Sequence, residues 1–188
     1  MSLPDAPPIV AILRGVKPDE IVEIAGALVD AGIGYIEIPL NSPEPLVSIG
    51  KLCEAFGDKA LCGAGTVLTP QAVDDVAAVG GKLIVTPNID ADVIARAVEL
   101  GLTVMPGFST PTEAFVAVKA GAKALKLYPA GSFGPGHLKA VRDVLPMDFE
   151  IYAVGGVGGE LYRPGYTAAE VGERARALVA AWTAQTAG

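Results

Sequence analysis

Glycines recur along this chain at intervals of roughly 20 to 25 residues, and each one closes a stretch with helical patterning. A short apolar run, typical of a buried strand, lies between each glycine and the next helical stretch. Such alternation predicts parallel strands joined by helical crossovers, which form either a doubly wound sheet or a (β/α)8 barrel. The glycines are Gly32, Gly57, Gly80, Gly101 and Gly121.

Polar side chains stand at the C-terminal ends of five different predicted strands. In a barrel these ends converge on one mouth, and no dinucleotide-binding G-x-G-x-x-G follows the first strand, as the best-known doubly wound folds would require. We therefore predict an α/β fold in which residues 1–188 form a single (β/α)8 TIM barrel domain. The five polar residues are Arg14, Glu37, Thr66, Asn88 and Lys126.

Several helix starts are marked by a capping residue followed by proline or by an acidic residue. Ser42 before Pro43 predicts a capped helix with proline at its first position. Thr110 stands three residues before Glu113, which is the spacing of a capping box.

The strand count is one short of the eight that a closed barrel needs. After Val157 the chain passes directly to residues 158–165 and then to a last helix capped by Thr167. The seventh helix and the eighth strand, roughly 20 to 30 residues of a barrel unit, are therefore absent. A barrel without one strand would leave two unpaired edges. We expect instead a chain gap, with a break in the backbone near residues 156–159.

Composition excludes several classes of function. The chain has 188 residues and a formal charge of −7, which disfavours a general nucleic-acid binder. No apolar run is long enough to span a membrane, and the N-terminal residues do not resemble a signal peptide, so we expect a cytoplasmic protein without a membrane partner. Cys53 and Cys62 are expected to be reduced, buried thiols. With His137 as the only histidine, expected at a helix start or in a loop, a dedicated zinc site is disfavoured.

Lys126 lies within a short apolar strand that ends in a proline and a glycine-rich loop. Because side chains alternate along a strand, Leu125 and Leu127 face one way while Ala124, Lys126 and Tyr128 face the other. A lysine on the inner face of a barrel loses hydration, which favours a neutral amine able to attack a carbonyl and form a Schiff base. The alternative is a lysine that extends to the strand end or is held in a structural ion pair.

Other strand ends supply groups that such an amine needs. Glu37 alternates with apolar neighbours, so it faces inward like Lys126 and can move protons during imine chemistry; the alternative is a structural Glu–Lys pair, which is costly to bury. Arg14 can hold a carboxylate with two hydrogen bonds, or can form a salt bridge at the rim. The hydroxyl of Thr66 can donate a hydrogen bond to the substrate, or can cap a turn. The glycine pair that ends in Gly156 can bind phosphate through backbone N–H groups, or can simply form a tight turn.

Six motifs in order resemble the KDPG/KHG aldolases, a family of class I pyruvate aldolases. The resemblance runs from about residue 9 to residue 157 and resumes over residues 159–165. It implies a metal-free barrel enzyme without a cofactor that is commonly trimeric. The motifs are ILRG at 12–15, EIPLNSP at 37–43, GAGTV at 63–67, TPN at 86–88, LKLYPA at 125–130 and AVGGV at 153–157.

The resemblance also implies a role for individual residues. Lys126 would be the Schiff-base lysine and Glu37 the proton acceptor, with Arg14 and Thr66 near the pyruvate carboxylate. Gly156 would lie near the substrate phosphate and Gly158 and Gly159 would complete that site, although the family usually has a serine where Gly159 stands. The implied substrate-binding residues are Arg14, Thr66, Gly156, Gly158, Gly159, Val154, Asn41 and Pro87.

Two positions discriminate between branches of the family. Members acting on the gluconate epimer typically have arginine at the position of Asn41 and threonine at that of Val154, so this chain fits the galactonate type. The resemblance then implies reversible cleavage of 2-dehydro-3-deoxy-6-phospho-D-galactonate to pyruvate and D-glyceraldehyde 3-phosphate. Alternatives are activity on the gluconate epimer or on both, a barrel sugar-phosphate isomerase or epimerase, and a non-catalytic phosphosugar-binding barrel.

Overall fold

Short strands alternate with helices throughout the computed structural model, which describes residues 6–145, 149–153 and 158–186. The strands are β1 Val10–Ile12, β2 Tyr35–Pro39, β3 Leu61–Gly65, β4 Leu83–Val85, β5 Thr103–Met105, β6 Gly107–Phe108, β7 Ala124–Leu127 and β8 Glu150–Ala153. The helices are α1 Ile21–Asp30, α2 Pro45–Phe56, α3 Pro70–Ala78, α4 Ala91–Glu99, α5 Pro111–Lys119, α6 Gly134–Arg142, α7 Gly158–Leu161 and α8 Ala168–Thr186, with one 3-10 turn at Ala130–Ser132.

All strand pairs are parallel, as the alternation of strands and helices predicts. Strands β1 to β5 follow one another in one sheet, and β6 to β8 in a second. Pro106 separates β5 from β6, and its carbonyl accepts a hydrogen bond of 2.9 Å from the backbone N–H of Lys126. The chain from β5 to β6 therefore occupies one strand position that joins both sheets. The result is a curved parallel sheet of seven positions in the described part of the chain, which is a partial (β/α) barrel.

Alternating side chains divide the buried residues into two clusters. Ile36 and Ile38 of β2 point outward and join the large cluster between the sheet and the helices. Their neighbour Tyr35 points inward, into a smaller apolar cluster that fills the interior of the barrel. The inner cluster consists of Tyr35, Leu61, Leu83, Val85, Met105, Ala124 and Tyr152.

Most helix boundaries follow the local signals. Thr110 and Glu113 form the expected capping box at the start of α5, and Thr167 and Glu170 form the same hydrogen bonds at the start of α8. The Ser42 prediction is wrong. Helix α2 begins at Pro45 after Glu44, whose φ is 41°, and the hydroxyl of Ser42 instead accepts a hydrogen bond from the N–H of Gly15.

The predicted chain gap falls partly outside the described residues. Residues 154–157 are not among them, and the backbone of residues 158–159 begins α7. This short helix lies beside β1, and within the described ranges no strand pairing joins β1 to β8. The gap therefore stays a prediction. No helix of the described chain is long and apolar enough to cross a lipid bilayer.

Candidate active site

Lys126 and Glu37 both face the interior of the barrel, on strands that lie apart in the sheet. Lys126 is 7% exposed on β7, and Glu37 is 3% exposed on β2. Leu125 and Leu127 point outward into the helix-facing cluster, so the predicted alternation is confirmed. The inward orientation makes the interior of the barrel the candidate site.

The amine of Lys126 is poorly solvated. Burial lowers its pKa, the negative charge of Glu37 opposes this effect, and the positive charge of Arg14 lowers the pKa further. Nζ also lies 5.0 Å from the ring centroid of Tyr128, where the face of the ring attracts a cation. This contact favours the protonated form, but burial outweighs it, so the amine gives up its proton more readily than a surface lysine does.

The carboxyl group of Glu37 is buried with an incomplete set of hydrogen bonds. Burial raises its pKa to about 7, against the opposing effects of Lys126 and Arg14. Its Oε2 has no hydrogen-bond partner among the described residues. A carboxyl group that titrates near neutral pH is suited to accept a proton and return it.

Two glycines of the GAGTV motif make room for this carboxyl group. A Cβ on Gly65 would lie 1.7 Å from Oε2 of Glu37, and one on Gly63 would lie 1.9 Å from the carbonyl oxygen of Leu83. Neither position tolerates a side chain without displacing its neighbours. The glycines therefore allow β3 to approach β2 and β4 while Glu37 extends into the interior.

Arg14 stands at the mouth, in the loop after β1. Its Nη1 donates a hydrogen bond of 2.5 Å to Oδ1 of Asn41, which follows β2. The next residue, Gly15, has a φ of 84° and donates its N–H to Oγ of Ser42 at 2.9 Å. These two bonds join the β1 and β2 loops, so Arg14 is held by an amide oxygen rather than by a rim carboxylate.

Thr66 and Pro87 follow β3 and β4 at the same mouth, and both are half-buried. Thr66 has a φ of 56°, an uncommon conformation for a β-branched residue, directly after Gly65. It does not cap α3, because that role belongs to Thr69, whose hydroxyl accepts a hydrogen bond from the N–H of Ala72. Both the turn-cap role of Thr66 and its contact with substrate stay predictions.

The predicted phosphate-binding residues are only partly described. Val154 and Gly156 lie outside the described residues, whereas Gly158 and Gly159 are the first two residues of α7. The chain after α7 packs on the mouth, since a Cβ on Gly15 would lie 2.8 Å from Cγ of Pro164. The segment beginning at residue 158 thus comes close to the Arg14 loop.

Sequence reasoning missed two aromatic residues inside the barrel. Tyr35 and Tyr152 are each 3% exposed and lie in the inner cluster. Strand alternation places Tyr35 on the same face as Glu37, so this signal was available for one of them. In the described part of the chain no group of histidine, cysteine, aspartate and glutamate residues could hold a metal ion.

The chain matches the family "KDPG and KHG aldolase" over residues 3–173. It belongs to this family. It is 48% identical to 2-dehydro-3-deoxy-6-phosphogalactonate aldolase of Escherichia coli K12, over 93% of this chain and 94% of the relative. A solved structure described as "Native KDPGal structure" is 46% identical, with a TM-score of 0.97 and full coverage of both chains. A cube-shaped protein cage designed by fusing symmetric oligomeric domains is 47% identical, with a TM-score of 0.93, covering 96% of this chain and 73% of the cage chain.

In the alignment with the Escherichia coli relative, the present chain contains gaps. It extends over 193 positions, to which 93% of a 188-residue chain contributes about 175 residues. The relative therefore has about 18 residues opposite gaps in this chain. That length is close to one helix and one strand of a barrel.

Proposed function

We propose that this protein is a class I aldolase that reversibly cleaves 2-dehydro-3-deoxy-6-phospho-D-galactonate to pyruvate and D-glyceraldehyde 3-phosphate. One observation carries the proposal: an amine and a carboxyl group, Lys126 and Glu37, are buried inside the barrel, and each alters the ionisation of the other. Burying two charged groups costs free energy, and the need for this chemistry accounts for their retention.

The cleavage direction begins at the amine. Lys126 attacks the C2 ketone, and the carbinolamine loses water to give a protonated imine that withdraws electrons from the C3–C4 bond. Glu37 accepts the C4 hydroxyl proton through a water molecule, the C3–C4 bond breaks, and D-glyceraldehyde 3-phosphate leaves. The electron pair of the broken bond becomes an enamine. Glu37 then returns a proton to C3, and hydrolysis of the imine releases pyruvate and the free amine.

The groups at the mouth hold the substrate ends. Arg14, oriented by Asn41, binds the carboxylate together with the hydroxyl of Thr66, and Pro87 borders the substrate. Backbone N–H groups of Gly156, Gly158 and Gly159 bind the phosphate, as backbone N–H groups in tight turns commonly do.

The choice of epimer rests on two positions. Asn41 and Val154 are the residues expected of the galactonate type, and the relative at 48% identity carries that name. We therefore expect faster cleavage of the galactonate epimer than of the gluconate epimer. Measuring kcat/KM for both substrates by coupled detection of pyruvate tests this. Equal rates would support a dual-epimer enzyme, and a preference for the gluconate epimer would contradict the assignment.

Borohydride trapping tests the imine. With pyruvate, wild-type protein should gain one reduced pyruvate adduct on Lys126, detected by mass spectrometry of peptides, and Lys126→Ala should gain none and lose cleavage. Lys123→Ala is the matched control, because Lys123 is an exposed lysine three residues away. An adduct-free wild type with turnover would instead favour an isomerase or epimerase. Substrate binding without turnover would favour a phosphosugar-binding protein.

We also propose a homotrimer. Exposed apolar side chains on α5, namely Phe115 at 46% and Val116 at 43%, offer a surface for self-association. The similar chain in a cage built from symmetric oligomeric domains supports a symmetric assembly. Light scattering after size-exclusion chromatography should give three times the chain mass of 19.1 kDa. The mass of one chain would contradict the proposal, and Phe115→Glu should reduce the assembly to single chains.

A cytoplasmic role in galactonate degradation follows from this chemistry. The substrate carries a carboxylate and a phosphate, and such ions do not cross an apolar bilayer unaided. Cell fractionation with a tagged chain should recover the activity in the cytoplasmic fraction.

A further inference from the structure

Two tyrosines lie inside the barrel beside the Lys126–Glu37 pair. Tyr35 is two residues before Glu37 on β2 and shares its inward face, while Tyr152 of β8 is the register partner of Lys126 of β7. Both tyrosines are only 3% exposed. Each therefore lies on the same strand as one reacting group or directly beside the other.

The two side chains contact each other and a carboxylate. Their rings meet edge to face, with centroids 5.6 Å apart and an interplanar angle of 63°. Their phenol groups are hydrogen-bonded, and the O–H of Tyr152 donates to Oε2 of Glu150 at 2.6 Å. Since that bond uses the only proton of the Tyr152 phenol, Tyr35 must donate to the Tyr152 oxygen. A chain of hydrogen bonds thus leads from Tyr35 through Tyr152 to Glu150, which is an exposed residue.

This chain of bonds connects strands that the sheet leaves apart. Within the described residues, β1 and β8 are the two ends of the strand order, and no pairing joins them. The Tyr35–Tyr152 contact runs from β2 to β8 across the interior. It therefore links the two sides of the opening by side chains where backbone pairing is not present.

We propose that Tyr35 and Tyr152 are positioning residues for the Glu37–Lys126 pair: they hold β2 against β8, fix the separation of carboxyl and amine, and keep water out of the interior below them. The effect on turnover rests on the proposed function, whereas the effect on the ionisation of Glu37 does not. Neither tyrosine needs to touch the substrate.

The expected consequence is a change in solvation. The charged groups that act on Glu37 are Lys126 from β7 and Arg14 from the loop after β1. They favour its ionised form, so the raised pKa of Glu37 depends on burial. Without the Tyr152 hydroxyl, water enters and the pKa of Glu37 should fall toward its ordinary value.

The test compares Tyr35→Phe and Tyr152→Phe with Tyr162→Phe. Tyr162 is the matched control because its side chain is 4% exposed, lies in the outer cluster, and has a hydroxyl without a hydrogen-bond partner among the described residues. In both test variants the titration midpoint of Glu37, followed by 13C NMR of its carboxyl carbon and assigned with Glu37→Gln, should fall by about 0.5 to 1 pH unit. The kcat should fall about 5- to 10-fold with KM within about 2-fold of wild type. Tyr162→Phe should leave the midpoint, kcat and KM unchanged.

Variants of Glu150 separate geometry from charge and remain available if a tyrosine variant does not fold. Glu150→Gln keeps an acceptor oxygen and should behave like wild type, whereas Glu150→Ala should resemble Tyr152→Phe. The proposal would be overturned if both tyrosine variants had the same Glu37 midpoint and the same kcat as Tyr162→Phe. It would also be overturned if Glu150→Gln and Glu150→Ala had equal effects. The proposed function fails independently if borohydride traps no adduct on the wild-type protein. In that case the Glu37 titration still tests the role of the tyrosines.

Discussion

At the scale of single residues, the site depends on a carboxyl group whose ionisation is suppressed by burial. The pKa of Glu37 is about 7 in the folded chain and near 4.5 as its ordinary value, so the folded state holds the proton more tightly than the unfolded state does. The folded state therefore loses stability relative to the unfolded state as the pH rises from about 4.5 through about 7.

Glu37→Gln should reverse that loss. Because glutamine cannot ionise, the variant should exceed wild type in free energy of unfolding by roughly 1 to 3 kcal/mol at pH 8, and the two should converge toward pH 4. Urea denaturation across this pH range measures the difference. Glu113→Gln is a control of opposite sign, because the N–H groups of Ser109 and Thr110 lower the pKa of Glu113. A Glu37→Gln variant less stable than wild type at pH 8 would contradict the expectation.

Gly65→Ala should remove activity through Glu37. The new Cβ would lie 1.7 Å from Oε2, so the carboxyl group must move or β3 must shift. We expect kcat to fall at least about 100-fold, since proton transfer of this kind contributes about 10²- to 10⁴-fold. Gly136→Ala in α6 is the control, because a Cβ there meets no atom within 4 Å. Near-normal kcat in Gly65→Ala would show that the carboxyl group is not held where β3 leaves room for it.

Asn41→Ala should weaken substrate binding. Its amide oxygen is the hydrogen-bond acceptor for Arg14, and without it the guanidinium samples more conformations. We expect KM to rise about 3- to 10-fold with kcat within about 2-fold, as for an interaction made equally in the ground and transition states. Steady-state kinetics measures the split, with Gln71→Ala on α3 as an exposed amide control. A fall in kcat alone would argue against this role.

At the scale of elements, the sequence predicted helix and strand types well because their signals are local. Gly32, Gly80, Gly101 and Gly121 end their helices with positive φ, which only glycine adopts at little cost. The Ser42 error has a long-range cause: the hydroxyl accepts a hydrogen bond from Gly15, 27 residues earlier. No pattern within a helix-start signal contains that partner.

Asp90→Ala tests one local signal that the fold uses. The side chain of Asp90 accepts hydrogen bonds from the N–H groups of Asp92 and Val93 at the start of α4. The variant should lose about 0.5 to 2 kcal/mol in free energy of unfolding, measured by urea denaturation, with kcat/KM unchanged. Asp58→Ala, in the loop after α2, is an exposed aspartate control and should lose less than about 0.5 kcal/mol. Equal stabilities of the two variants would contradict the capping role.

At the scale of the whole molecule, counting strand and helix units in the sequence predicted the number of strand positions. Counting units gave seven strands, and the described chain has seven strand positions. Alternation placed Lys126 and Glu37 inside the barrel. The Tyr35–Tyr152–Glu150 chain could not be predicted in the same way, because it joins β2 to β8 through a closure that only three-dimensional packing defines.

An insertion tests the predicted missing barrel unit. The Escherichia coli relative has roughly 18 residues opposite gaps in this chain. Inserting such a segment between residues 157 and 158, where the missing unit is predicted, should supply a helix and a strand to pair with β1 and β8. The free energy of unfolding should rise by at least about 2 kcal/mol, since many backbone hydrogen bonds contribute about 1 kcal/mol each. Urea denaturation measures it, and a Gly/Ser insert of equal length is the control. Equal stability of the two inserts would contradict a missing structural unit.

The separation of the buried residues into two clusters has a consequence for how this protein can change. Substitutions between sheet and helices reach the reacting groups only through the strands, so they can tune resistance to heat while leaving turnover alone. Substitutions in the small inner cluster touch the surroundings of Lys126 and Glu37 directly. Selection for thermal stability and selection for catalytic activity can therefore act on different sets of positions in one chain.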